Sequence, residues 1–147
     1  MSGVSSRRVA EKSAYVRGEM EFLRSLPVDV DNGSNPAGVR AARYSLQTAV
    51  SALTDLAYHL CAKRYRYAPP NARDAFRRLA QAGVISDEML AKISAMVGFR
   101  NLAAHGYEVF DDDRLRAILR TELGDMEALL RALETFAAAA GGEAGEP

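Results

Sequence analysis

The sequence predicts an all-α protein, an up-and-down bundle of four long helices plus one short helix. Three observations carry that expectation. Apolar residues recur three and four apart along most of the chain, the spacing that lines one face of a helix. No segment alternates apolar and polar residues with the period of two that a half-buried strand requires. The breaks between periodic segments fall at residues that start or stop helices: Asn35-Pro36, Pro69-Pro70, Gly83 and Ser86-Asp87-Glu88. A chain of 147 residues can bury one core without disulfides or a structural metal. We read one helical domain over residues 1–137 and a disordered tail over 138–147, where Ala, Gly and Glu dominate.

The elements follow in order. Residues 9–26 carry Val9, Tyr15, Val16, Met20, Phe22, Leu23 and Leu26 as an imperfect stripe that stops at Pro27. Val28–Asn35 has Asp, Asn, Gly and Ser without periodicity and reads as a loop. Asn35 can then cap free amides, and Pro36 loses nothing at a first helical position by lacking an N–H. The helix beyond has Leu46, Ala49, Val50, Leu53, Leu56, Ala57 and Leu60 on one side and runs to about Arg64, ~45 Å at 1.5 Å per residue. A short helix over Asn71–Ala82 buries Ala75, Phe76 and Leu79 and closes at Gly83. The fourth helix starts at Ser86-Asp87-Glu88, turns Leu90, Ile93, Met96 and Val97 inward, and ends near Gly106. Asp111-Asp112-Asp113 caps the last, whose stripe is Leu115, Leu119, Met126, Leu129, Leu133 and Phe136. The second and fifth helices are expected to form the main seam.

Composition narrows the function classes. Nineteen basic residues offset nineteen acidic ones, so any nucleic-acid surface must be a local patch rather than a global field. Cys61 is the only cysteine and His59 and His105 the only histidines, which leaves no Cys/His zinc spacing, no internal disulfide and no implied metal or cofactor. Residues 1–20 mix Arg7, Arg8, Glu11, Lys12 and Arg17 with few apolar positions, unlike a signal peptide, and no apolar run approaches the ~20 residues that span a bilayer. A soluble, cytoplasmic protein is expected.

Chemistry concentrates at Gly98-Phe99-Arg100-Asn101-Leu102-Ala103-Ala104-His105-Gly106-Tyr107. Arg100 offers a permanent forked cation that matches phosphate oxygens. His105 titrates near neutrality and can move a proton, a contribution typically worth ~10²–10⁴ in rate. Five residues at 100° each set these two about 140° apart around a helix. They share a face only if the helix unwinds near Gly106 or a second subunit completes the site. The bland alternative is that Arg100 and His105 merely cap helix carbonyls and complement the helix dipole.

The Arg-x4-His-x-Tyr pattern closing an amphipathic helix resembles the signature of HEPN-domain toxins of the HepT family. The likeness extends to Tyr44-Ser45-Leu46-Gln47-Thr48-Ala49-Val50, to Ala75-Phe76-Arg77-Arg78-Leu79 and to Ala82-Gly83-Val84-Ile85, in that family's order, and covers roughly residues 8–136. The resemblance implies an endoribonuclease that works without metal, cutting RNA through its own 2′-hydroxyl, with Arg100 and His105 catalytic and Asn101 in support. It further implies a homodimer that sets two motifs across one cleft. The implied partner is a minimal nucleotidyltransferase (MNT) antitoxin that transfers AMP to Tyr107. The rival class is a non-catalytic HEPN adaptor that binds nucleotide or positions a separate nucleotidyltransferase.

Two further constellations stay open. Asp55 and His59 stand four apart on one helix face, either supporting the site from behind or, as the bland reading, forming an intrahelical ion pair or leaving a partly buried histidine. Lys63, Arg64, Arg66, Arg73, Arg77 and Arg78 are six cations opposed only by Asp74, interleaved with Tyr65 and Tyr67. They read as an RNA-phosphate track with stacking tyrosines, or equally as a solvated face or a dock for an acidic partner. Cys61 reads as a small buried hydrophobe.

Overall fold

The computed structural model describes residues 3–26, 35–105 and 112–144, with side chains over 3–26, 35–100 and 113–140. All regular structure among them is helical: α1 (Ser6–Arg24), α2 (Pro36–Tyr65), α3 (Ala72–Gln81), α4 (Asp87–His105) and α5. Helix α5 is built from Asp112–Ala117, a π-helical turn Ile118–Glu122 and Leu123–Ala144 in unbroken succession. This is the bundle of four long helices and one short helix that the periodicity predicts. The stretch Val28–Asn35, read as a loop, lies outside the described residues except for Asn35.

The caps explain where the helices begin and end. The side chain of Asn35 accepts from the Gly38 amide and that of Asn71 from the Asp74 amide, with Pro36 opening α2 as expected. Helix α1 starts three residues before the apolar stripe does, because Ser5 caps it by accepting from the Arg8 amide. Beyond α3, Gly83 takes a left-handed φ of +81°, which lets the Val84 amide reach back 2.9 Å to the Leu79 carbonyl. Helix α2 ends the same way without a glycine. There Arg66 itself stands at φ +52° while the Tyr67 amide bonds the Cys61 carbonyl at 3.0 Å.

Cross-helix pairs give the directions. Ser5 meets His59, Lys12 meets Asp55 and Glu19 meets Ser45, so α1 and α2 are antiparallel. Arg17 pairs with Glu134 and Arg24 with Glu127, so α5 also runs against α1. Lys92 on α4 reaches Asp125 on α5 at 3.2 Å. The most extensive packing is α1 against α2, not α2 against α5 as expected from the stripes alone. Helix α2 lies in the middle, meeting α1, α3, α4 and α5, and its full predicted stripe from Leu46 to Leu60 is buried.

Two expectations change. Tyr15 and Phe22, assigned to the inner stripe of α1, are exposed, while Val16, Met20 and Leu23 are buried. The true seam is the i, i+4, i+7 row, and Tyr15 and Phe22 sit one residue, or 100°, off it. At the other end, α5 continues through Ala144 with Ala137 and Ala140 buried. The residues from 138 to 144 therefore extend the last helix, because the alanine run is a strong helix former with a partner to pack on.

Candidate functional site

The motif sits at the C-terminal end of α4. Gly98, Phe99 and Arg100 belong to its penultimate turn, and Asn101 and His105 follow before the helix ends at His105. Phe99 is buried and anchors the turn. Because α4 stays helical from Arg100 to His105, the backbone keeps the two positions about 140° apart. The side chains of Asn101 and His105, and all of Gly106 and Tyr107, lie outside the described residues.

Arg100 is half-buried, and one terminal nitrogen stands 3.5 Å from the Ser51 hydroxyl of α2. That distance is the outer limit of a hydrogen bond, so the hydroxyl contributes only weakly to orienting the guanidinium. Nothing in the sequence marked Ser51, because a serine in a helix interior has no motif of its own. The close approach that Gly98 permits is to a side chain. The Arg73 guanidinium donates through Nε to the Ser94 carbonyl at 3.3 Å and passes over Gly98, where a Cβ would meet it at 2.6 Å. One cation of the predicted basic track is thereby brought to the motif helix, two residues from Arg100.

The rest of that track is divided. Tyr65 stacks on Phe136 with centroids 5.9 Å apart, and the Arg78 guanidinium lies 4.2 Å over its ring. The Tyr67 hydroxyl donates to Asp74, which also holds Arg77 at 2.8 Å. Tyr65 is thus engaged through its ring inside the fold, and Tyr67 through its hydroxyl. The Asp74 carboxylate beside it raises the Tyr67 phenol above its ordinary range. Lys63, Arg64, Arg66, Arg73 and Arg77 remain exposed.

Asp55 and His59 do not form the supporting pair considered above. Asp55 takes Lys12 of α1 at 2.8 Å, and the buried His59 accepts from the Ser5 amide through Nε2 at 3.0 Å. Burial first, then the charges of Arg8 and Lys63, hold the His59 imidazole below its usual range and so neutral. Cys61 is fully buried, and its thiol is pushed up to about 11 by desolvation, which leaves it unreactive at neutral pH. Among the described residues no three His, Cys, Asp or Glu side chains cluster as metal ligands. No helix among them is long and apolar enough to cross a membrane.

Between α1 and α2 runs an open groove in two lobes. One, of about 530 Å³, is lined by Arg8, Lys12, Tyr58, His59 and Lys63. The other, of about 420 Å³, is lined by Glu11, Tyr15, Thr48, Ser51 and Ala52. The Lys12–Asp55 pair borders both, and Ser51 joins the second lobe to Arg100.

Residues 20–133 match the family model described as HepT-like, ribonuclease HepT-like. The chain belongs to the HepT-like ribonuclease family. The mRNA nuclease HepT of Shewanella oneidensis is 30% identical to it over 86 residues, 58% of this chain and 65% of that protein. The chain thus matches just under two thirds of that relative's length. Two solved structures share the fold. A tri-AMPylated HEPN toxin of Shewanella oneidensis in complex with MNT antitoxin superposes with a TM-score of 0.83 at 22% identity, over 89% of this chain and 99% of that one. A toxin–antitoxin structure with AMP-PNP gives 0.82 at 21% identity, over 88% and 99%. This HepT-like chain thus shares the fold of those two structures over 88–89% of its length.

Proposed function

We propose that this chain is the toxin of a HEPN/MNT toxin–antitoxin pair and acts in the cytoplasm as a metal-independent endoribonuclease. The observation that carries the reading is Arg100 and His105 on the last turns of an unbroken α4, within the sequence pattern Arg-x4-His-x-Tyr, in a chain that matches the HepT-like ribonuclease family over residues 20–133. The relative named mRNA nuclease HepT supports the substrate class. In this reading Arg100 holds the scissile phosphate and stabilises the anionic phosphorane as charge builds on it. His105 takes the 2′-hydroxyl proton or returns one to the leaving 5′-oxygen, and Asn101 donates to a phosphate oxygen beside it.

The helical register of Arg100 and His105 favours a homodimer in which two copies of the motif face one cleft. Phe22 and Tyr44 stand exposed and offer apolar area for a second copy. Tyr107 is the acceptor for AMP from an MNT-type nucleotidyltransferase antitoxin. An AMP there adds anionic phosphate and a purine near Arg100, so it competes with RNA for the same guanidinium.

The deciding experiment incubates purified protein with labelled RNA in EDTA. Cleavage should proceed, and should disappear in His105→Ala and in Arg100→Lys, since an ammonium cannot reproduce the forked contact. Cleavage that requires added Mg²⁺, or that persists without His105, would overturn the mechanism.

A further inference from the structure

The α1–α2 groove carries more positive charge than its packing needs. Asp55 neutralises Lys12 at 2.8 Å, and Glu11 is taken by Arg7 at 3.2 Å. Arg8 and Lys63 have no carboxylate partner among the described residues. Both are exposed and line the larger lobe, where their charges also act on the His59 imidazole. Three cations, Arg8, Lys12 and Lys63, against the single carboxylate of Asp55 leave this lobe net positive, which favours an anion by simple electrostatics. The half-buried Tyr58 ring forms part of the same wall.

The groove also has a direction. Ser51, which touches Arg100, and Lys63 are twelve residues apart on α2, a span of ~18 Å at 1.5 Å per residue. That length suits a chain of phosphates better than one: at a stacked rise of about 3.4 Å it accommodates about five nucleotides. The Lys12–Asp55 pair lies between the two ends, with side chains 37% and 52% exposed. An exposed pair of this kind is weakly held, so an arriving phosphate can take Lys12 from Asp55.

We infer that the α1–α2 groove is a track for the phosphates of single-stranded RNA, held by Arg8, Lys12 and Lys63, that leads the strand to Arg100 across Ser51. This rests on the ribonuclease reading above and adds to it where the substrate lies outside the motif. Tyr58 supplies a face on which one base stacks, a contact that tolerates any sequence.

The test uses full-length His105→Ala protein, which leaves RNA intact, and a short labelled single-stranded RNA titrated over a range of salt. Arg8→Gln with Lys63→Gln should lower the slope of log affinity against log salt by about 1.4, at about 0.7 per phosphate contact on a single strand. The same arithmetic makes binding about 25-fold weaker at 0.1 M salt. Arg8→Lys with Lys63→Arg should restore slope and affinity, and Asp55→Asn should tighten binding by freeing Lys12. If the double variant loses helical signal, each single Gln variant should still lower the slope by about 0.7. An unchanged slope in the His105→Ala background, with the wild type cutting RNA, overturns the track while leaving the ribonuclease reading intact. If the wild type neither binds nor cuts RNA, both fall. An added AMP arm separates the ligand's source: loss of AMP binding with RNA binding unchanged would make the groove a mononucleotide pocket and overturn the track.

Discussion

Acidification should loosen the start of α1 through one side chain, and the effect can be isolated because the chain has only two histidines. His59 is 6% exposed and accepts the Ser5 amide at 3.0 Å, tying the N-cap of α1 to α2. Protonation turns Nε2 from acceptor to donor, so that bond, worth about 1 kcal/mol net, is lost and two donors face each other. It also adds a positive charge among Arg8 and Lys63. Burial and those charges depress the folded-state titration, so the unfolded chain binds the proton more readily. Stability from this group is therefore complete above about pH 6.5, where the unfolded imidazole is neutral. It is lost as pH falls below that towards the folded value, at no more than about 1.4 kcal/mol per pH unit. The assay is urea unfolding followed by helical circular dichroism, in a His105→Ala background, comparing His59 with His59→Gln, whose amide oxygen accepts but does not titrate. The stability of the His59 protein relative to the Gln variant should be level from about pH 8 to 6.5 and decline below. A difference that stays flat down to about pH 5 would refute the argument.

Three other outcomes are expected. Leu53 is fully buried in the middle of α2, so Leu53→Asp should abolish cooperative melting, because a lone buried charge costs several kcal/mol of a marginal total; a variant with wild-type melting and mass would contradict the placement of α2. Arg66→Gly should stabilise the fold by about 1 kcal/mol, about 2–4 °C in Tm for a domain of this size, since glycine takes a left-handed φ without a Cβ clash; a lower Tm would show that the arginine side chain holds that turn. Tyr107→Phe should keep RNA cleavage yet escape neutralisation by a co-expressed nucleotidyltransferase, and mass spectrometry should find AMP on the wild-type peptide containing Tyr107; neutralisation without that modification would mean inhibition by docking alone.

Helix number and order, and most of the caps, were legible in the residues, because each signal acts within a turn or two. Asn35-Pro36, Asn71 and Gly83 do locally what their chemistry requires. The motif was legible for the same reason, since Arg100 and His105 fall on one helix and their angular separation follows from helix geometry alone. Where two side chains of similar hydrophobicity compete for the same face, the sequence was ambiguous. Tyr15 and Val16 both read as core, and only the packing of α1 on α2 turned one of them out.

Partnership between charges was beyond the sequence altogether, because it depends on which helices become neighbours. Spacing offered His59 to Asp55, but the fold gave Asp55 to Lys12, 43 residues away, and His59 to the Ser5 amide, 54 away. Six cations close in sequence read as one track, and tertiary contacts sent Arg78 over Tyr65, Arg77 to Asp74 and Arg73 to the motif helix. Arg8 and Lys63, far apart in the chain, came to line the same groove. Local periodicity and capping act over a few ångströms along the chain, so the sequence by itself determined the helices and the residues of the motif. Surplus charge in a cleft depends on which distant residues the fold brings together, so only the tertiary structure decided what surrounds Arg100.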